Sequence, residues 1–263
     1  MTSHVQLLTD EGIGTVTIDR PDALNALSVE TLQELLDAFT ALSAEWQASP
    51  GTLRGVILMG AGSRAFVAGA DIRAMAAMDR EEAFRMGALG QAVTAAIEAL
   101  PVPVIAAVDG VALGGGCELA MACDVILATE QSRFGQPEVK LGLMTGFGGA
   151  VRLPRYVGLA RAKDLLYSGR IIDAETARQY GLVLEVVDTR DALDRRARAL
   201  LAEYAANSPS GIGATKLVLD RIIGESTRDA LAIELDSFAN RFDTADKAEG
   251  TSAFLEKRPP LFG

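Results

Sequence analysis

Apolar positions fall into two rhythms along the chain. Residues 4–9 and 13–19 alternate roughly between apolar and polar, with Gly12-Ile13-Gly14 turning between them, which predicts a β-hairpin. The irregular stretch Arg20-Pro21-Asp22-Ala23-Leu24-Asn25-Ala26-Leu27 follows, and Ser28 then stands as an N-cap with Glu30 in the first turn. Leu32, Leu35, Leu36, Phe39, Leu42 and Trp46 keep helical spacing as far as Ser49-Pro50-Gly51. A buried strand is expected over 53–59. A second amphipathic helix, from about Arg80 to Ala99, presents Met86, Leu89, Val93, Ile97 and Leu100 on one face before Pro101 and Pro103 stop it.

Short apolar runs recur at 56–59, 104–108, 125–128 and 183–187. Their uneven spacing is not a strict sequence repeat, but strand alternating with helix argues for an α/β class. Strand signals end after Val187. Residues 190–258 read as helices broken near Ser208-Pro209 and Gly224, with Leu231, Leu235, Phe238 and Phe242 on one apolar stripe. The expected organisation is an α/β core over 1–195 and a helical region over 196–263 that serves packing or assembly.

Composition narrows the chemistry. The chain has 263 residues, 49% of them apolar and 23% charged, which suits a well-folded protein with a large core. The most apolar stretch, 104–127, is interrupted by Asp109, Glu118 and Asp124, and no run reaches the ~18 apolar residues of a membrane span. No basic segment followed by an apolar run opens the chain, so no secretory signal is expected, and the setting is taken as cytoplasmic. The two cysteines, Cys117 and Cys123, suggest neither a disulfide framework nor a zinc site. The single histidine, His4, argues against a histidine triad and a multi-histidine metal centre. A net charge of −10 disfavours a broad nucleic-acid footprint, while leaving room for a local basic patch on a small phosphorylated ligand.

Three segments carry candidate chemistry. Phe66-Val67-Ala68-Gly69-Ala70-Asp71-Ile72 lies between a strand and a helix, where small residues admit a ligand close to the main chain and free amides can meet an anion; taken alone, the segment reads more readily as a tight packed turn. In Val108-Asp109-Gly110-Val111-Ala112-Leu113-Gly114-Gly115-Gly116-Cys117-Glu118-Leu119-Ala120, three glycines open an apparent helix. Glu118 in its first turn could simply complement the helix dipole. Yet its apolar neighbours Cys117, Leu119, Ala120 and Met121 should desolvate it and raise its pKa, which suits proton transfer. The third segment, Phe134-Gly135-Gln136-Pro137-Glu138-Val139, leads to Gly146-Phe147-Gly148-Gly149 and a helix expected over 147–157. Glu138 could be a surface acid. It stands 20 positions from Glu118, so spacing alone does not bring the two together.

Jointly and in this order, the segments resemble the enoyl-CoA hydratase/isomerase family, the crotonase superfamily, and most closely its short-chain hydratase branch. The matching pieces are Ala23-Leu24-Asn25-Ala26-Leu27, Ala68-Gly69-Ala70-Asp71-Ile72, Gly114-Gly115-Gly116-Cys117-Glu118-Leu119-Ala120, Cys123-Asp124 and Phe134-Gly135-Gln136-Pro137-Glu138. The tail, Asp246-Lys247-Ala248-Glu249-Gly250 with Phe254-Leu255-Glu256-Lys257-Arg258, also fits, so the likeness covers nearly the whole chain. It implies a spiral of repeated ββα units, a C-terminal helical trimerisation region, and two trimers stacked as a homohexamer. It also implies an acyl-CoA thioester as substrate, with no separate cofactor and no metal. The amides of Ala70 and Gly115 match the family's oxyanion hole, Glu118 and Glu138 its two catalytic acids, and Gly146 a backbone position near the water site. Ala23, Leu24, Ala26, Ala68, Asp71 and Ile72 match the CoA-binding surface, and Lys257 is expected near the phosphate end.

Two positions depart from the pattern. Asp22 stands where the family often has a base, so Arg20, Arg64, Arg73 or the tail pair Lys257 and Arg258 would have to attract the CoA phosphates. Thr145 stands where proline is frequent, which is expected to alter the acyl pocket wall. The reading is hydration of a trans-2-enoyl-CoA to a (3S)-3-hydroxyacyl-CoA, as in β-oxidation of fatty acids. The alternatives are a Δ3-Δ2-enoyl-CoA isomerase, which commonly uses only the acid at position 138, or another thioester enzyme of the superfamily, since one fold serves many reactions. An RNA-binding relative would need a lysine-rich helix, and residues 28–48 contain neither Lys nor Arg.

Overall fold

The computed structural model describes residues 3–262. The expected hairpin is formed by β1 (Val5–Asp10) and β2 (Ile13–Ile18), paired antiparallel. Ser28 caps α1 (Val29–Ala48) by accepting from the Thr31 amide, and Leu32, Leu35, Phe39 and Leu42 on its apolar face are buried.

From there the chain winds through three similar turns. The first is β3 (Gly55–Gly60), β4 (Ala65–Val67), α2 (Ile72–Met75) and α3 (Arg80–Ala99). The second is β5 (Val104–Val108), β6 (Val111–Leu113) and α4 (Gly115–Ala122), and the third is β7 (Val125–Thr129), β8 (Arg133–Gly135), α5 (Gly149–Val157) and α6 (Leu159–Ser168). β9 (Ile171–Asp173), α7 (Ala174–Tyr180) and β10 (Glu185–Val187) complete the sheets. Each turn gives its first strand to a six-stranded sheet, ordered β1-β2-β3-β5-β7-β10, and its second to a four-stranded sheet, ordered β4-β6-β8-β9. This is the spiral of ββα units that the resemblance implied. The strands of the smaller sheet have three residues each, too short for the apolar rhythm to register, and the sequence reading did not contain them.

The large sheet is covered on both faces, which explains its unbroken apolar runs. Val56 and Leu58 of β3, with Val104, Ala106 and Val108 of β5, enter the core shared with α1, α3 and α4. Ile57, Ile105, Ala107 and Leu127 point the other way, onto Leu193, Ala197, Leu200 and Leu201 of α8 (Arg190–Ala205). The division expected near residue 195 thus falls inside a helix whose buried face completes the second core. Beyond it run α9 (Pro209–Arg221), α10 (Thr227–Asn240) and α11 (Ala245–Glu256). Among the described residues, no helix is long and apolar enough to cross a membrane.

Candidate active site

The site is built where β4 and β6 end and hand the chain to helices. Gly114 sits at φ +50° as the N-cap of α4, a backbone state that side chains resist, and a Cβ there would also press to 3.0 Å from Glu138 Oε1. The Gly114 amide donates to Gly135 O at 2.9 Å, which ties the helix start to β8. Gly115, the next residue, is in the first helical turn, where an N–H has no acceptor within the helix. After the neighbouring parallel strand β4, Leu27 N donates to Gly69 O at 2.8 Å and Asp71 N donates to Leu27 O at 2.9 Å. These two bonds flank Ala70 and fix its peptide plane. Among the described residues, neither the Ala70 nor the Gly115 N–H is spent on a backbone acceptor.

Glu118 lies one turn into α4 and is 2% exposed. Its Oε1 accepts from Phe147 N at 2.8 Å and from Gly149 N at 2.6 Å. Burial raises its pKa; the two amides and the nearby Arg152 guanidinium oppose that rise by favouring the carboxylate. Glu138 comes from the 3-10 turn Pro137–Leu141, half buried. With its amide nitrogen turned toward the carboxylate, Gln136 donates to Glu138 Oε1 at 2.9 Å and Oε2 at 3.3 Å. Burial pushes the Glu138 pKa up to about 7, and the Glu118 charge adds to the rise. Two acids far apart in sequence therefore share one site, with unequal support for their charges.

Both carboxyl groups line a cavity of about 240 Å³, together with Ala68, Ala70, Ile72, Gly115, Gly146 and Phe147. Seven of the residues expected at a site thus meet in one place: Ala68, Ala70, Ile72, Gly115, Glu118, Glu138 and Gly146. Ala23, Leu24, Ala26, Asp71 and Lys257 do not line it. The loop bearing Ala23, Leu24 and Ala26 is pinned beside the cavity wall, because Ala68 N donates to Leu24 O at 3.1 Å and the buried Asn25 amide reaches Ala61 O and Ala65 O. The Asp71 carboxylate caps α2 through Ala74 N and pairs with Arg20 at 3.3 Å. Lys257 is the left-handed C-cap of α11, on the surface.

Sequence reasoning gave no site role to Met75, Met78, Met86 and Met144, yet these four of the seven methionines line the cavity. Their signal was small, since methionines near helices usually mean core packing, and Met86 was read in that way. Gln136 and Gln91 were also missed; the latter donates to Gly146 O at 2.9 Å and holds the turn before α5.

The basic candidates divide. Arg20 is taken by Ala26 O and Asp71, Arg64 donates to Pro21 O at 2.8 Å, and Arg258 is held between Glu249 and Glu256. Among the described residues, Arg73 and Lys257 enter no ion pair. His4 lies outside the cavity lining, with Glu30 and Glu34; Glu34 there accepts from the amides of His4 and Val5 and ties β1 to α1.

A spiral α/β fold that gathers free amides, one buried acid and one half-buried acid around an apolar cavity defines a class of enzymes, and comparison with known proteins gives the family. The profile of the Enoyl-CoA hydratase/isomerase family matches residues 9–263, and the chain belongs to that family. A crotonyl-CoA hydratase of Syntrophomonas wolfei is 42% identical over 259 residues, covering 98% of this chain and 97% of that protein. A short-chain-enoyl-CoA hydratase of Clostridium acetobutylicum is 41% identical over 253 residues, covering 96% and 95%. The crystal structure of an enoyl-CoA hydratase from Bacillus anthracis superposes with a TM-score of 0.91 at 35% identity, covering 98% of each chain.

Proposed function

We propose that the cavity adds water to a trans-2-enoyl-CoA and yields the (3S)-3-hydroxyacyl-CoA. The observation that carries this reading is the convergence of Glu118 and Glu138 on a cavity that also contains Ala70 and Gly115. Addition at C3 places negative charge on the thioester oxygen. The Ala70 and Gly115 amides are the donors for that oxygen, and losing one such donor costs on the order of 3 kcal/mol. Glu118, with one oxygen fixed by two amides, is the ionised partner that orients water and takes its proton. Glu138, titrating near neutrality, is the partner that gives a proton to C2. The water oxygen bonds to C3, its released proton goes to Glu118, and the Glu138 proton goes to C2. The two acids end with exchanged protonation states and are reset by solvent. An isomerase needs one acid to shuttle a proton between carbons, so the second, deeply buried acid favours hydration.

The apolar stripe on α10 supports a homohexamer built from two trimers. Leu231, Leu235 and Phe238 of α10 are 58%, 66% and 60% exposed, and Phe242 in the 3-10 turn that follows is 54% exposed, a run of large apolar side chains left open to water. A cytoplasmic setting fits the two free, buried thiols, Cys117 and Cys123. Thioester oxidation pathways for fatty acids supply the class of substrate this cavity takes.

The test is a direct assay of the purified protein on crotonyl-CoA and on a 3-enoyl-CoA. Hydration of the first, with slower conversion of the second, supports the reading. Double-bond migration without formation of a hydroxyacyl product overturns it in favour of the isomerase.

A further inference from the structure

The turn that holds Glu118 is itself held from behind. Arg152, in α5, donates from Nε to Glu98 Oε1 and from Nη2 to Glu98 Oε2, both at 2.6 Å, a two-pronged pairing with a residue near the end of α3. Its remaining nitrogen, Nη1, donates to Phe147 O at 2.9 Å. The Arg152 side chain is 12% exposed and Glu98 30%, so the pair is largely shielded from water. Phe147 is also one of the two residues whose amides hold Glu118. The guanidinium thus fixes the carbonyl that follows the Phe147 amide, and the amide aims at the acid.

The local sequence is shaped around this contact. Gly148 lies at φ +113°, and a Cβ there would sit in the Arg152 guanidinium. Glycine is favoured by the conformation, and a side chain there would also push the guanidinium away from Phe147 O. Arg152 N in turn donates to Gly148 O at 2.8 Å, so the side chain and main chain of Arg152 clamp the same turn. Arg152 does not line the cavity that contains the two acids. It lines a separate cavity with Asp124, Tyr156 and Lys216, so its influence passes through Phe147 and through its charge.

The charged and titratable groups set around Glu118 are few. Glu138 faces it from the 137–141 turn, Arg152 from α5 with Glu98 behind it from α3, and Cys117 is its neighbour on α4. β4, β6 and β7, which pack against α4, contribute none.

We propose that Glu98 and Arg152 are positioning residues for the reaction: the pair locks the Phe147–Gly148 peptide unit, which lies between the two units whose Phe147 and Gly149 amides hold Glu118 aimed at the attacking water. The assignment rests on the hydratase reading for its kinetic consequence, but not for its structural one. Glu98→Gln keeps the shape and loses the charged pairing, while Arg152→Lys keeps the charge and loses the fork.

The experiment measures kcat, KM and the pH profile on crotonyl-CoA, beside ¹³C-glutamate NMR of Glu118 assigned with Glu118→Gln. Glu98→Gln is expected to lower kcat by roughly tenfold to a hundredfold with KM changed less than about twofold, as small misplacements of a reacting group do. The Glu118 resonance and the acid limb of the profile should both move to higher pH, because the support for its carboxylate is loosened. Arg152→Lys should move both less than Arg152→Gln. If Arg152→Gln does not fold, Glu98→Gln and Arg152→Lys carry the test. Folded variants with an unchanged Glu118 titration overturn the proposal. A Glu118 titration that shifts in an enzyme that does not hydrate crotonyl-CoA keeps the positioning role and overturns the hydratase reading instead.

Discussion

Lys216 Nζ, on α9, reaches Asp124 Oδ2 at 2.8 Å, while the same Asp124 oxygen accepts from Val104 N at 2.7 Å. The ammonium also donates to Ile97 O and Val102 O, each at 3.1 Å, and Lys216 is 7% exposed. One buried cation thereby joins the C-terminal helices, the end of α3, the start of β5 and the segment after α4. Lys216→Met preserves the stem but takes the ammonium from two carbonyls and leaves the Asp124 carboxylate with the Val104 amide and no countercharge. Such one-sided removal of a buried pair costs on the order of 3 kcal/mol. Urea unfolding should show the midpoint falling at an unchanged slope, and a variant as stable as the parent would remove the pair from the account of how α9 is anchored.

Substitution of the acids separates their roles. Glu118→Gln and Glu138→Gln each keep the side-chain shape and cannot take up a proton. Each is expected to lower the hydration rate by about 10²–10⁴-fold, with binding of a saturated acyl-CoA little changed. Near-parental kcat in either variant would mean that the residue is not an acid or base of this reaction.

The pH dependence follows from the unequal environments. Burial raises Glu138 to about 7, so its proton is lost as pH rises through that value. In the proposed mechanism the competent enzyme has Glu138 protonated and Glu118 ionised. kcat/KM should therefore fall above about pH 7, and fall again on the acid side as Glu118 is protonated. A profile flat from pH 6 to 9 contradicts the assignment of Glu138 as proton donor. The residual activity of Glu138→Gln should lack the alkaline limb.

Gly115 is constrained by its neighbours as much as by a ligand. A Cβ there would lie 3.0 Å from Phe147 Cε2 and 3.2 Å from Leu27 Cδ1, at the junction of the acid-holding turn with the Ala70 strap. Gly115→Val should disturb both the amide proposed for the oxyanion hole and the Phe147 amide that holds Glu118. A kcat loss of roughly 10²-fold or more is expected, beside circular dichroism that shows a folded protein. Full activity in the folded variant would take Gly115 out of the oxyanion hole.

Periodicity made the long helices and buried strands readable. The Leu32-Leu35-Phe39-Leu42 face and the Met86-Val93-Ile97 face repeat often enough to specify α1 and α3, and double-sided burial makes β3, β5 and β7 continuous apolar runs. The small sheet is set by the winding of the chain, and three-residue strands such as β6 contain less than two periods of alternation. Glu118 announced its burial through its apolar neighbours, whereas the meeting with Glu138 depends on Gly114 letting the second acid approach. The partners that tune them were less visible. Nothing in the spacing around Arg152 points to the site, and only the fold places it between Glu98 and Phe147.

Assembly and the distal CoA contact make the last prediction. α10 has no buried residue, and its apolar stripe faces a groove against α9 that includes Val218, Leu219 and Ile222. A second copy of the chain covering this surface would remove it from water, so light scattering should give the mass of a hexamer, and Leu235→Glu should shift it toward smaller species. A monomer at micromolar concentration ends the assembly claim. Lys257 is a distinct matter. It ends α11 in a left-handed conformation beside Phe254, which is 82% exposed, and neither side chain belongs to the lining of its own cavity. Of the five basic candidates named from the sequence, Arg20, Arg64 and Arg258 are held by protein partners, and Lys257 and Arg73 are the two for which a contact with the phosphate end of a CoA is proposed. Lys257→Ala should then raise KM for the full enoyl-CoA more than for a truncated pantetheine thioester, because only the former carries the distal phosphates. Equal effects on the two substrates would place Lys257 away from the CoA.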